Sequence, residues 1–382
     1  MRTDTKNLRA TPATRYALNA VCPYFTMFPL QYPLRILSNP SVRKTRGALV
    51  CDPYCGRGTT IFAARTLGLR VYGVDVAPVA VAIARAKVAR TTVEAVVDLA
   101  NEVLNHAETD IQVPSSPFWR LAYHPHTLRQ ICALRAGLQS MRTDTAAMLR
   151  AILLGGLHGP LSKTAENASY LSNQMPRTFA SKPRYSVKYW KRTATRAPKI
   201  DVVDVIKRRA ERTLAHRWRC SSSSPIDIRC SDSRTARAFD RLQSRITHVI
   251  TSPPYYGLCT YSQDQWLRHW FLGGPPEVDY RAPVGMNHGS PALFARSMAR
   301  VWDQIGAHST DDVRLCVRFG GIKSRAADPD EILKSSLAVS AHEWRIVTRH
   351  SARSASVGKR QAEQMTATGT AMTEFDYVVV RK

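Results

Sequence analysis

The stretch "GALVCDPYCGRGTTIFAARTLGLRVYGVDVAPVAVAIARAKVAR", residues 47–90, decides the fold. Its first six residues are a short apolar run that closes on Asp52, and "PYCGRG" then reads as a tight loop. "TTIFAARTLG" predicts a helix, with Thr59 placed to cap it and Gly68 placed to end it. "LRVYGVD" predicts a second strand ending in Asp75, and "VAPVAVAIARAKVAR" a second helix with Pro78 in its first turn. Strand–helix–strand–helix is the grammar of a doubly wound, mostly parallel α/β sheet.

The same grammar returns late in the chain. "PIDIRCSDS" (225–233), "ITHVITS" (246–252), "DVRLCVRFGG" (312–321), "EWRIVTRH" (343–350) and "EFDYVVVRK" (374–382) predict further strands. Between the two blocks, residues 94–107, 127–140 and 144–157 carry helical periodicity, and 159–198 reads as irregular. Residues 199–217 read as a basic helix, and the serine run 221–224 as a linker. The chain of 382 residues therefore divides into 1–110, half of an α/β domain; 111–224, a largely helical basic insertion; and 225–382, the other half of the same domain.

The loop from Asp52 to Thr59 (Asp52, Pro53, Tyr54, Cys55, Gly56, Arg57, Gly58, Thr59) joins a strand to a helix. Its glycines let backbone approach a ligand, and the helix N-terminus offers free N–H groups. The third glycine of G-x-G-x-x-G is missing, and no Gly-Lys-Ser/Thr follows, so neither phosphate-binding loop fits. A ligand with a carboxylate and an ammonium suits Asp52 and the glycine turn better than a pyrophosphate. Asp75, about twenty residues on, is placed to grip the hydroxyls of an adenosine ribose.

A second stretch, "THVITSPPYYGLCTY" (247–261), ends a strand in Ser252-Pro253-Pro254-Tyr255. Two prolines freeze the chain and remove N–H donors, leaving carbonyl acceptors on that wall. Ser252 adds a polar group and Tyr255 a flat π-face. The set suits an exocyclic amine of a nucleobase: hydrogen bonds from its N–H groups localise the nitrogen lone pair and aim it at an electrophile. A base inside a duplex cannot reach such a pocket and has to be flipped out. A cis-proline turn without chemistry is the alternative.

Together these residues resemble a known family. "DPYCGRGTT" is similar to the AdoMet-binding motif of amino-group DNA methyltransferases, written D-P-F-x-G-x-G-T, and "TSPPYY" resembles their S/N/D-P-P-Y/F motif. "CPYFTMFPLQYP" (22–33) resembles the segment that packs around the AdoMet methionine, and "CSDS" (230–233) the acidic turn that meets the adenine. The resemblance covers about 1–90 and 225–382. It implies a Rossmann-like sheet of seven strands, the last two an antiparallel hairpin, and S-adenosyl-L-methionine as methyl donor. By position, Phe28, Pro29, Asp52, Pro53, Tyr54, Gly56, Gly58 and Thr59 belong to the methionine side. Asp75 belongs to the ribose side, Asp232 and Ser233 to the adenine, and Val76 counts among the cofactor-binding residues. Ser252, Pro253, Pro254 and Tyr255 hold the target amine, with Tyr255 stacking on the base.

Serine at 252 is commoner in the cytosine-N4 enzymes and aspartate in the adenine-N6 enzymes, so cytosine-N4 is favoured. Cytosine-C5 chemistry needs a cysteine, usually after proline, and no Pro-Cys pair occurs. The resemblance implies double-stranded DNA as partner and allows a restriction endonuclease as another. Two alternatives stay open: an RNA guanine-N2 or adenine-N6 methyltransferase, and a DNA-binding relative without turnover.

Composition agrees with a polyanion partner: Lys and Arg number 55 against 29 Asp and Glu, a net +26. Residues 177–219 hold fourteen Lys/Arg and three Asp/Glu, with Phe179, Tyr185, Tyr189 and Trp190 interleaved. The alternative for "VVDVIKRRAERTL" in that segment is a solvated amphipathic helix packing on the sheet. "GKRQ" (358–361) is a second basic loop. No run of 18 apolar residues predicts a membrane span, and no metal is expected: the eight cysteines lack C-x-x-C spacing. His124, His126, His158 and His288 lack i,i+4 pairing with an acid and read as ordinary histidines. Reduced cysteines point to a cytoplasmic protein.

Overall fold

A computed structural model of the chain describes residues 16–23, 29–159, 169–173, 175, 182–215, 225–257, 261–279, 285–321, 327–352 and 373–382. The serine run 221–224 lies outside the described residues. Two compact units emerge. One draws its described residues from Tyr24–Ala84, Cys220–Tyr261 and Pro283–Lys382, the other from Met1–Pro23, Arg85–Arg219 and Ser262–Ala282.

The first unit is built on one sheet of seven strands: β1 (Leu49–Asp52), β2 (Arg70–Asp75), β3 (Ile226–Cys230), β4 (Ile246–Thr251), β5 (Ser309–Gly321), β6 (Trp344–Ser351) and β7 (Thr373–Arg381). Their spatial order is β3-β2-β1-β4-β5-β7-β6. The first five pair in parallel, whereas β7 runs antiparallel to both β5 and β6. This is the doubly wound, mostly parallel Rossmann-like sheet of seven strands that the sequence predicts, with its antiparallel hairpin. Strand order reverses between β1 and β4, the place where open α/β sheets form a crevice at the carboxyl ends of their strands.

All four residues of β1 are buried, as expected of a central parallel strand covered on both faces. One face carries an extended apolar cluster. Helix Pro291–His308 contributes Phe294, Met298, Val301, Trp302 and Ile305, and helix Pro329–Ala338 contributes Ile332, Leu333 and Leu337. Helix Thr59–Thr66 buries Ile61, Phe62, Ala63 and Ala64. Gly68, at φ 71, closes that helix as expected. Thr59 is not its cap: Gly58, left-handed at φ 77, takes that position without a side chain to bond, and Thr59 becomes the first helical residue.

The second unit is helical. Helices Val93–Asn105, Asp144–Gly156 and Val202–Thr213 are capped by Thr92, Thr143 and Asp201, whose side chains accept backbone N–H groups. The unit includes residues 85–110 and 262–279, where the sequence reading places its insertion at 111–224 only. The reason is burial: Val96, Ala100 and Val103 are sequestered among helices of this unit. Trp266 and Trp270 of "DQWLRHWF" join Phe118, Trp119 and Trp190 in an aromatic core, with ring centroids 4.3–5.8 Å apart. The basic helix Val202–Thr213 buries Val202, Val205, Ile206 and Ala210 against helices Val93–Asn105 and Asp144–Gly156, not against a sheet. Residues 183–192, read as irregular, form a helix opened by Pro183. Only Ser186 and Trp190 are buried on it, so its apolar period is too thin to show in the sequence.

Candidate active site

Four turns leave the carboxyl ends of β1 to β4, and side chains knit them together. Asp52 ends β1 wholly buried, and its Oδ1 accepts the Thr251 hydroxyl from the end of β4 at 2.7 Å and the Tyr54 N–H at 3.2 Å. Asp75 ends β2, and its Oδ2 accepts the Gly56 N–H at 2.8 Å while Oδ1 accepts that of Ala77 at 2.8 Å. The Ser231 N–H donates to the Asp75 carbonyl at 3.0 Å. The Ser233 hydroxyl donates to the Pro53 carbonyl, which brings the turn after β3 onto the glycine loop.

The second oxygen of Asp52, Oδ2, is buried and has no hydrogen-bond partner. Burial pushes this carboxyl up to about 6; the Thr251 hydrogen bond, the neighbouring Thr60 hydroxyl, which itself donates to the Ile250 carbonyl at 3.2 Å, and the Tyr54 N–H oppose the rise, and the Asp75 charge adds to it. A buried, half-satisfied carboxylate next to a turn is suited to an ammonium group. Asp75 is likewise raised by burial, opposed by the N–H groups of Ala77 and Gly56.

The two glycines differ. A Cβ on Gly58 would lie 2.8 Å from Ala84 Cβ, so glycine is required there for packing. A Cβ on Gly56, at φ 50, would meet nothing closer than the Tyr54 carbonyl at 3.9 Å. Gly56 therefore leaves open space beside the chain, as a cradle for a ligand does.

Of the other residues singled out in the sequence, Phe28 lies outside the described residues, and Pro29 is half-buried, its carbonyl accepting the Tyr32 N–H. Val76 is exposed at 42% directly beyond Asp75. Asp232 is held by Arg234 through both carboxylate oxygens, which keeps its carboxyl below the usual range. Tyr54 packs edge-on against Trp302, and its phenol, raised by burial, lies 3.7 Å from Met286 Sδ.

Ser252 and Pro254 are half-buried, Pro253 and Tyr255 buried, and no peptide bond among the described residues is cis. The alternative of a cis-proline turn therefore does not apply. The Tyr255 ring, 9% exposed, meets Phe319 edge-on, and its phenol donates to Glu374 Oε1 at 2.6 Å. Little of that ring remains to stack on a base. Its half-buried neighbour Tyr256 stacks on His288, centroids 6.2 Å apart at 28°, and His288 Nδ1 accepts the Gly257 N–H at 3.0 Å. The sequence does not mark Thr251, Tyr256, His288 and Glu374 as site residues. Only Thr251 and Tyr256, flanking the serine–proline motif, carry a local signal.

Among the described residues no group of three His, Cys, Asp or Glu could hold a metal, and no helix is long and apolar enough to cross a membrane. A cavity of about 140 Å³ between Leu49, Arg70, Ile226 and Ser244 lies at the opposite ends of the strands, away from all these turns.

With the geometry in hand, comparison with known proteins adds one family. Residues 4–86 match the model of a family described as DNA methylase. The match supports a methyltransferase. It spans the glycine turn and Asp75 and stops short of the serine–proline motif. No curated protein matches the chain. Solved structures that align with it include the rRNA methyltransferase aviRa from Streptomyces viridochromogenes, at TM-score 0.34 and 16% identity over 100% of this chain and 94% of that one. An rRNA methylase from Streptococcus thermophilus aligns at TM-score 0.32 and 7% identity, over 94% and 99%. The magnesium protoporphyrin IX methyltransferase ChlM from Synechocystis PCC 6803, with bound SAM, aligns at TM-score 0.30 and 10% identity, over 95% and 89%. Likenesses of this size carry no weight beside the strand order itself.

Proposed function

We propose that this protein is an AdoMet-dependent DNA methyltransferase that flips a base and methylates its exocyclic amine, cytosine-N4 in preference to adenine-N6. The observation that carries the reading is the Thr251–Asp52 hydrogen bond of 2.7 Å. It joins the end of the glycine-turn strand to the residue just before Ser252, so the glycine turn and the serine–proline motif share one crevice edge, as this reading requires.

The residues present fit AdoMet. Asp52 Oδ2, buried and unpartnered, would take the ammonium, and the open side of Gly56 would admit the methionine backbone. Asp75 would turn toward the ribose and exposed Val76 would cover the adenine near Asp232 and Ser233. When bound, the cofactor supplies a methyl group of strongly electrophilic character.

The rest is done by this chain. Ser252 Oγ and the Pro253 carbonyl accept the two N–H groups of the target amine. This keeps the nitrogen lone pair out of the ring and orients it. Pro253 and Pro254 offer no N–H of their own to compete with those acceptors.

Seven cations support a nucleic-acid partner: Lys182, Arg184, Lys188, Lys191, Arg192, Arg196 and Lys199, on and around helix Pro183–Arg192, with no acid between them. All seven are exposed, as is Tyr185 at 61%. Trp190, buried in the aromatic core, is not available to a base. Phe179 and "GKRQ" lie outside the described residues.

The test is incubation with labelled AdoMet and mixed DNA and RNA, followed by digestion to nucleosides. Label in N4-methylcytosine or N6-methyladenine is the expected outcome. Label only in 5-methylcytosine, or in RNA and not in DNA, overturns the reading.

A further inference from the structure

Resting on the reading above, we propose that Glu374 is the terminal proton acceptor of the reaction, reached from Ser252 through the phenol of Tyr255. Methylation of an aromatic amine has to dispose of one N–H proton, and a serine hydroxyl cannot keep it. The Tyr255 phenol donates to Glu374 Oε1 at 2.6 Å, within the short range of a hydrogen bond to a carboxylate. The Ser252 side chain is near enough to act on that same phenol as a hydrogen-bond donor, the smallest of the influences on its pKa. The relay places three oxygens in series, Ser252 Oγ, Tyr255 Oη and Glu374 Oε1, of which the last two share the 2.6 Å bond between residues 119 positions apart.

The topology makes this junction. Because β7 is antiparallel, its first residues lie at the carboxyl end of β5, where Glu374 is opposite Gly320. Glu374 and Asp376 share one face of β7. Asp376 is occupied by Arg318, at 2.7 and 2.8 Å, and by Arg35 at 3.7 Å. Glu374 takes the phenol instead. Among the described residues, the charged and titratable groups around this end of β7 are Arg318, Asp376 and His350, the register partner of Asp376, with Arg349 over the Phe375 ring at 3.9 Å.

The proton count closes. As the N–CH3 bond forms and the donor's S–CH3 bond breaks, the amine nitrogen becomes cationic. Its N–H proton passes to Ser252 Oγ, the Ser252 proton to Tyr255 Oη, and the Tyr255 proton to Glu374 Oε1. The nitrogen keeps the electron pair of the broken N–H bond. Both hydroxyls end neutral, Glu374 ends protonated, and water later removes that proton. Burial, with the Glu374 charge adding, holds the phenol well above its usual pKa, so a free tyrosinate is disfavoured and the transfers occur together.

Single-turnover methyl transfer across pH by wild type, E374Q, E374D and Y255F tests the relay. E374Q is expected to be slower by about 100-fold with unchanged AdoMet affinity by calorimetry. The wild-type loss of rate toward acid pH should be absent from E374Q, and E374D should recover part of the rate. A readout without any ligand is the NMR titration of the labelled tyrosine resonance that Y255F abolishes. That phenol should ionise at lower pH in E374Q. An E374Q rate and pH profile equal to wild type overturns the relay, as does an E374Q defect that tracks lost AdoMet affinity, which marks a structural role. Wild type that binds AdoMet yet methylates no nucleic acid overturns the reading of the site, and is recognised before any variant is made.

Discussion

Thr251 donates its hydroxyl to Asp52 Oδ1 at 2.7 Å across two neighbouring parallel strands. The bond is buried at both ends and separates the two oxygens of one carboxylate: Oδ1 belongs to the protein, Oδ2 has no partner. A structural aspartate would have both satisfied. T251V should therefore lower stability by about 1–3 kcal/mol, the cost of leaving a buried acceptor short of a donor. T251S, which keeps the hydroxyl, should restore most of it, and urea midpoints of the two variants make the comparison.

Asp52 also sets a pH dependence. Its folded pKa of about 6 lies above the ordinary 3.8, so the folded state holds the proton more tightly than the unfolded chain. The group's contribution is most favourable below about pH 4, falls as pH rises to about 6, and stays low beyond. Moving a carboxyl from 3.8 to about 6 is worth about 3 kcal/mol, so D52N should be more stable than wild type by that order at neutral pH. The advantage should shrink toward pH 4 while AdoMet binding is lost throughout. A stability difference that does not vary with pH would contradict the burial argument.

Gly58 and Gly56 separate packing from ligand space. G58A forces a left-handed backbone, costing about 1–2 kcal/mol, and places a methyl group 2.8 Å from Ala84. G56A incurs the backbone cost alone, because its Cβ enters open space. Denaturant melts should rank G58A as the less stable variant. Calorimetry should nonetheless show G56A impaired in AdoMet binding as a folded protein.

Arg318 is 5% exposed, pairs through two nitrogens with Asp376, and lies 4.2 Å from the Tyr32 ring centroid. This ties helix Gln31–Leu37 to β5 and β7. D376N should lower stability by about 3–5 kcal/mol, because it leaves a buried guanidinium uncompensated. R318M/D376N should recover part of that loss. A double variant as unstable as the sum of the singles would show that the pair is not coupled.

The exposed cations around helix Pro183–Arg192 predict a salt effect. Replacing Lys188, Arg192 and Arg196 by alanine should weaken DNA binding about equally for all sequences. It should also reduce the slope of log affinity against log salt by about 0.9 for each phosphate that is no longer neutralised. Fluorescence anisotropy at several salt concentrations measures it, and an unchanged slope would remove this surface from the nucleic-acid interface.

Local order tells most about the strands whose chemistry is written at their own ends. Asp52, Asp75 and Ser252 each close an apolar run before a turn, and all three strands form where the runs stand. Helix Pro183–Arg192 is hidden because a surface helix with two buried residues leaves almost no periodic trace. Thr59 reads as a cap from spacing alone, because spacing cannot show that Gly58 is left-handed.

What the sequence alone determined was the alternation of strand and helix, the glycine turn and the serine–proline turn, since each depends on residues within a few positions of one another. The tertiary structure decided the partnerships: Thr251 with Asp52, Gly56 with Asp75, Tyr255 with Glu374. The physical reason is that hydrogen bonds between strand ends depend on strand order and direction. The reversal of order at β1 and β4, and of direction at β7, brings together residues as far as 199 positions apart.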